Sequence, residues 1–553
     1  MDDKYHLQLK KQDIISLICA IVISVSMNLY PDDIAVDVVL ILRIAIGIGL
    51  HFFLLRFGFG FLDRFSKVDG KARSLGKKNV FACFVILSIV FLAPLIIYYP
   101  GVNGWDTEYQ LVDLFDGTQM MHKEAWGDYY VPYTLSDHMN LFVTLLFGAF
   151  VKFGMLLGDA TIGVFIYCIL QALFFAYVCT YLLIKLSEWG VNRKFVTIAF
   201  LFYALLPFIW MYSINMIKDS VNAAIFVLYF LLFIGIIRGE QEIGARLFVL
   251  SLLVCLTKKT GIIIVIPSNL ALAFLKWKEK HFKFKDLIIS ISPFLIIGVL
   301  LHRIIYPMLN VYQDGLQETI AFMFQQIART AKYAPNSFTT QDAEIINRVI
   351  DFEKLPVIYD YHLVDSVKDT FRPTASIIEI ANFIGLWVKN AFHHPLIYVR
   401  SLIGTNGGFF SPTHRINIYT IFNDWGNLGI SYHPWASNAR VAFYEIYEHI
   451  SMFPLINILF QTYLYSWVIV CFSMWRAIRE KSKRLVMAFV PAYVSVITFV
   501  LSPDVNSRYA LHIIMIAPVI VCLCSSIVRE KQNATQCTDE QKELCLDEEV
   551  DYA

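Results

Sequence analysis

Asn79 to Gln110 reads NVFACFVILSIVFLAPLIIYYPGVNGWDTEYQ. Its apolar part, Asn79 to Tyr99, has the length of about 20 residues that a helix needs to cross a bilayer. Pro100 and Gly101 then stop the helix, and Trp105 with the tyrosines suits the headgroup level. The stretch thus predicts a span that hands the chain to a polar, aromatic, Asp-bearing loop at a membrane surface.

Composition says the same of the whole chain. Of its 553 residues, 57% are hydrophobic, 15% aromatic and 16% charged, against about a quarter charged in soluble proteins. A mean hydropathy of +0.58 exceeds what globular cores bury and excludes disordered, fibrous and nucleic-acid-binding classes. The net charge of +1 selects no partner by sign.

Working outward from that span, Lys/Arg-rich short loops set orientation. Two apolar runs precede it, Asp13–Leu29 and Asp37–Leu55, with Lys4, Lys10 and Lys11 before the first. No small-residue cleavage site follows that first run, so it is read as a span and not a signal peptide. The loop carrying Arg56, Arg64, Lys67, Lys71, Arg73, Lys77 and Lys78 is read as cytoplasmic, which puts the N-terminus inside. After the loop 100–140, Leu141–Leu157 is expected to lie in the plane of the outer leaflet. Crossing there would carry Lys185, Arg193 and Lys194 outside, and Lys152 sits more easily at an interface.

Spans follow at Thr161–Leu186, Phe195–Ser213 and Ser220–Ile237. The short runs Leu247–Leu256 and Gly261–Leu275 are expected to form a shallow hairpin with Thr257-Lys258-Lys259-Thr260 at its tip. Lysines at a membrane-embedded tip are costly and point to function. Leu287–Tyr306 leads to a long outer segment, 307–452, with membrane-hugging stretches near Ile377–Val399. Phe453–Trp475, Leu485–Leu501 and Leu511–Val528 complete an all-α polytopic membrane protein of about twelve membrane helices, a tally from span length.

The expected organisation is an accessory pair of spans with its basic loop (1–78), a membrane core (79–306), the outer segment (307–452), C-terminal spans (453–528) and a tail (529–553). Both termini are expected to be cytoplasmic, in a cell membrane. None of the 10 cysteines falls in an outer loop and no Cys/His metal spacing occurs, so no disulfide framework is implied. The sequon Asn533-Ala534-Thr535 lies on the inner side and is read as chance.

The candidate chemistry gathers on the outer side. Asp106, a few residues past a helix end among aromatic rings, suits a general base or a divalent-cation ligand such as one for Mg or Mn; a capping role is the plain alternative. Asp137 and His138 open the in-plane helix, as a cap or as a second acid, base or ligand. Lys218-Asp219 is either a self-neutralising surface pair or a phosphate-binding ammonium with its orienting carboxylate. Lys258 and Lys259 have the same potential. Gln325 and Arg329, four apart, share a helix face. In Asp504-Val505-Asn506-Ser507-Arg508-Tyr509, Arg508 and Tyr509 either anchor the chain at the interface or close over a lipid phosphate.

In this order, the Tyr-Pro-Gly stop, Asp106, the in-plane helix, Lys218-Asp219, the basic tip before Gly261 and Arg508-Tyr509 resemble the GT-C glycosyltransferase superfamily. Gln325-Gln326-Ile327-Ala328-Arg329 and His394-Pro395-Leu396-Ile397-Tyr398 are similar to uncharacterised multi-pass proteins of Gram-positive bacteria within it, over about Asn79 to Val528. The resemblance implies a sugar donor on a polyprenyl phosphate and a cell-envelope glycan, glycolipid or polymer as acceptor. It assigns the essential acid to Asp106, with Lys258, Lys259 or Arg508 stabilising the departing phosphate, and no nucleic acid as partner. Asp137-His138-Met139 departs from the His-His-Pro-like sequence of those proteins. A polysaccharide polymerase and a lipid-linked sugar flippase or transporter are the alternatives. The Asp-led loop tells against the first; the second predicts ionisable residues at mid-span, and the clear one, Arg43, lies in the accessory pair.

Overall fold

The computed structural model describes residues 10–30, 36–65, 75–116, 132–313, 316–418, 425, 428–454 and 456–524. Lys4, Lys67, Lys71, Arg73 and the tail lie outside the described residues. About 76% of the structure is helical. Among the described residues, one two-stranded sheet pairs Leu135–Ser136 with Val311–Tyr312 in parallel.

Among the described residues, seven helices are long and apolar enough to cross a membrane: Val38–Asp63, Lys77–Ile96, Ala160–Glu188, Lys218–Ile237, Thr260–Lys278, Phe284–Met308 and Ser507–Cys524. An eighth span exists if Arg193–Leu205 and Pro207–Ser213 count as one, bent by 61°. The bend falls before Pro207, whose ring disfavours helical geometry at the residue ahead of it, and Leu206 is extended at φ −82°, ψ 108°. These are the helices of a polytopic membrane protein. Asp13–Leu29, Leu141–Leu156, Ala245–Thr257 and Val490–Val500 are apolar but shorter.

Lys218–Ile237 is the centre of the bundle. It is apolar on every side and nearly all of it is buried, the expected fate of a helix without a polar face. Beside it, Ala245–Thr257 and Thr260–Lys278 form a hairpin with arms of 13 and 19 residues, of which the second is long and apolar enough to cross a membrane. The second arm is therefore longer than its apolar run suggests. Leu141–Leu156 packs on Ala160–Glu188, with Phe147 against Tyr167 at 5.1 Å between ring centroids.

Three helices, Lys218–Ile237, Thr260–Lys278 and Ser507–Cys524, begin at one end of the bundle and run away from it. At the other end stand Lys276 and Lys278, while Lys283 and Lys285 pair with Glu242 at 3.5 Å. The basic loops and the starts of these helices thus occupy opposite ends.

A second, smaller core lies in the segment after Tyr312. Ile320, Phe324, Ile327 and Ala331 make one buried stripe of Gln317–Tyr333 and meet Ile346, Val349, Leu355, Val367 and Phe383. The N-terminal pair, Asp13–Leu29 and Val38–Phe65, is bound to the bundle through buried Asp63, which pairs with Arg476 and Arg479.

Candidate functional site

The segment that follows the Tyr-Pro-Gly stop is fixed by backbone pairing. Val102 N–H donates to Ile214 C=O at 3.1 Å, and Met216 N–H donates to Val102 C=O at 2.7 Å. Gly101 sits at φ +154°, where a Cβ would stand 2.3 Å from the Cys168 Sγ, so only glycine fits. From the Ala160–Glu188 helix, Gln171 Nε2 donates to the carbonyls of Ser213 and Asn215 at 3.0 and 2.8 Å. Thr107 Oγ1 donates to Met216 C=O. Helix Trp105–Asp116 is thereby held against the first turn of Lys218–Ile237, and Asp106 against Lys218.

The hairpin tip reaches the same place. Lys258 is extended, at φ −153° and ψ 129°, and so separates the two arms. Asn222 Nδ2 donates to Val254 C=O at 3.0 Å and to Thr257 Oγ1 at 2.9 Å, satisfying carbonyl and hydroxyl groups left by the end of the first arm. Gly261 lies against the first arm, where a Cβ would come within 2.6 Å of Val254 O. Arg508 is presented at the start of the last helix, with Asn506 Oδ1 accepting its N–H at 3.2 Å.

Six residues far apart in sequence therefore meet. Asp106 Oδ2 pairs with Lys218 Nζ at 2.9 Å and Oδ1 with an Arg508 terminal nitrogen at 3.1 Å. Asp219 Oδ1 pairs with Lys258 Nζ at 2.6 Å, and its Oδ2 lies 3.9 Å from Arg508 Nε. Neither Asp219 Oδ2 nor Arg508 Nε has a hydrogen-bond partner. Both cations also face the Tyr509 ring, Lys258 at 5.4 Å and Arg508 at 5.0 Å. Three cationic side chains thus gather around two carboxylates. Burial raises the Asp106 pKa, but Arg508 and Lys218 outweigh it and hold the carboxyl well below its usual range.

The other candidates stand elsewhere. Asp137 Oδ1 accepts from Leu141 N–H at 2.8 Å and from Tyr306 O–H at 3.2 Å, with His302 at 3.6 Å from Oδ2. It caps a helix start. His138 stands near Asp113 and Asp369, on which its charge acts. Lys259 is the residue before Thr260–Lys278. Gln325 donates to Asp360 C=O and, at 3.4 Å, to Leu363 C=O. Arg329 donates to the Tyr359 hydroxyl at 2.9 Å and lies over the rings of Tyr333 and Tyr361. Both belong to the smaller core.

Asp504, quoted above only as part of a hexapeptide, is a further residue of this region. Burial pushes its carboxyl up to about 6, against the nearby Arg508 charge and with Asp365 and Asp106 adding repulsion. Its Oδ1 is buried without a partner. Gln171 and Asn222, which hold the scaffold, were visible as polar residues inside apolar runs, where such groups are expensive and therefore informative.

The donor set does not fit a divalent cation at Asp106. Both of its oxygens face cationic nitrogens, and among the described residues no three His, Cys, Asp or Glu side chains gather as a metal site. A metal would have to displace Lys218 or Arg508.

Fold and site together define a polytopic helical membrane protein with a buried cation–carboxylate cluster at one end of its bundle. The chain belongs to the family described as "Family of unknown function (DUF6020)", which matches residues 77–541. The N-terminal helix pair precedes that match. No curated protein and no solved structure matches the chain.

Proposed function

We propose that this protein is a GT-C-type glycosyltransferase that moves a sugar from a polyprenyl-phosphate donor to a cell-envelope glycan, glycolipid or polymer. In this reading it has about twelve membrane helices, the hairpin arms counted, with both termini cytoplasmic, and the cluster faces outward, opposite the basic loops. The observation that carries it is the gathering of three buried cations, Lys218, Lys258 and Arg508, in one place, with Arg508 Nε left without a hydrogen-bond partner. A sugar phosphodiester brings a negative charge and acceptor oxygens, which clustered ammonium and guanidinium groups bind.

Asp106, as found, binds a proton weakly because Lys218 and Arg508 hold it ionised. An entering phosphate draws those cations partly to itself, which raises the proton affinity of Asp106. The acceptor hydroxyl then gives its proton to Asp106 while its oxygen bonds to the anomeric carbon. The bond from that carbon to the phosphate oxygen breaks, and polyprenyl phosphate leaves with the electron pair, stabilised by Lys258, Lys218 and Arg508. Attack opposite the phosphate inverts the anomeric configuration.

The test uses full-length protein in nanodiscs with a fluorescent polyprenyl-phosphate sugar and envelope glycolipid acceptors. Wild type should release polyprenyl phosphate, and Asp106→Asn should lower turnover by at least the roughly hundredfold typical of a lost acid–base group. Turnover by Asp106→Asn equal to wild type would remove the assignment. Failure of wild-type protein to bind polyprenyl phosphate would remove the function.

A further inference from the structure

Next to the ion cluster the structure holds a cleft that the mechanism above does not use. Asp106, Gln110 and Asp113 recur at the four- and seven-residue spacings that place side chains on one helix face. Asp113 stands about 10 Å along the axis from Asp106, at 1.5 Å per residue. Among the described residues, Tyr109, Gln110, Asp113, Tyr133, Ser136 and His138 line the cleft. Met139 also lines it, and its Sδ accepts from Lys218 Nζ at 3.1 Å, so the cleft opens onto the cluster.

The unmet hydrogen bonds here are of one kind. Gln110 is 4% exposed and spends its Nε2 on Met139 C=O at 3.0 Å and Thr144 Oγ1 at 2.9 Å, leaving Oε1 buried without a donor. Asp113 Oδ2 accepts from the Tyr133 hydroxyl at 3.0 Å, and its Oδ1 is likewise buried and unpartnered. Two buried acceptors without donors are costly, and O–H or N–H groups brought by a ligand, or by water that a ligand displaces, relieve them. The Tyr133 ring, tilted against Tyr312 at 5.3 Å, gives the cleft an apolar wall suited to C–H faces. The Asp113 carboxyl in the lining disfavours an anion.

We infer that this cleft binds a neutral polyhydroxylated ligand, a sugar or alditol unit, through hydroxyl donors to Gln110 Oε1 and Asp113 Oδ1. As a binding site it stands alone; as the acceptor site of the transferase it rests on the function proposed above, with the ligand's hydroxyl directed along the helix toward Asp106. Burial raises the Asp113 pKa, which fits a carboxyl that shares hydroxyl protons.

The experiment titrates nanodisc-embedded wild-type protein by calorimetry with methyl glucoside, methyl galactoside and ribitol. Glucosamine and glucuronate serve as cationic and anionic comparisons. The neutral compounds should bind in the millimolar range, and glucuronate should not. Gln110→Leu should weaken binding about fivefold and Asp113→Asn about tenfold, the worth of one neutral and one charge-assisted hydrogen bond. Because either variant could unfold, the ligand ranking of wild-type protein is decisive by itself. No neutral compound binding at tens of millimolar, or glucosamine alone binding, overturns the inference. Neutral ligands binding while polyprenyl phosphate does not would sink the transferase and leave this site. The converse would sink this site and leave the transferase.

Discussion

Asp219 is the residue on which the cluster balances. It is 2% exposed and neutralises Lys258 at 2.6 Å. Removing one partner of a buried pair strands the other charge, at a cost of roughly 3–5 kcal/mol. Asp219→Asn should therefore lower thermal stability strongly, and Asp219→Asn combined with Lys258→Met should recover much of the loss. Equal unfolding temperatures for the single and double variants would show that the pair is not coupled. Asp504 supplies a pH dependence. Its folded-state pKa of about 6 lies above the unfolded value of about 4, so the folded state holds the extra proton between them. Stability should accordingly fall as pH rises from about 4 to about 6. Unfolding temperatures measured over that window should flatten in Asp504→Asn; an unchanged slope would assign the effect to another group.

At the scale of elements, the hairpin matters more for where its tip lies than for how far its arms reach. Gly261 allows the second arm to touch the first, and the contact at Val254 O leaves no space for a side chain. Gly261→Val should push the arms apart, cost roughly 1–3 kcal/mol as overpacking does, and withdraw Lys258 from Asp219. Transfer activity should drop more than tenfold even where the protein remains folded by circular dichroism. Full activity in Gly261→Val would mean that the tip does not position Lys258. The break at Leu206-Pro207 was legible in the sequence only as a proline inside an apolar run. Its 61° angle belongs to the folded chain, where both halves pack on Lys77–Leu92 and Ala160–Glu188.

For the whole molecule, sidedness is the first thing to check. Val357 is 85% exposed in the smaller unit, and Lys280 is exposed beside the basic loops at the opposite end of the bundle. A membrane-impermeant thiol reagent should label Val357→Cys on intact cells and spare Lys280→Cys until the membrane is opened. Labelling of Lys280→Cys on intact cells would invert the arrangement. Hydropathy alone determined that this chain is a helical membrane protein with a polar loop after Tyr99, because burying that much apolar surface has no other solution. The types of the site residues were legible too, since charges beside apolar runs are costly unless used. Which charges meet was not. Asp106 and Arg508 are 402 residues apart in sequence, and Arg329 and Asp137 look no different from them in a one-dimensional reading. Packing around Lys218–Ile237 decided that Asp106, Lys218, Asp219, Lys258 and Arg508 share one buried space while Arg329 is spent on tyrosines, because partner choice is set by distance and burial, which only the folded chain possesses.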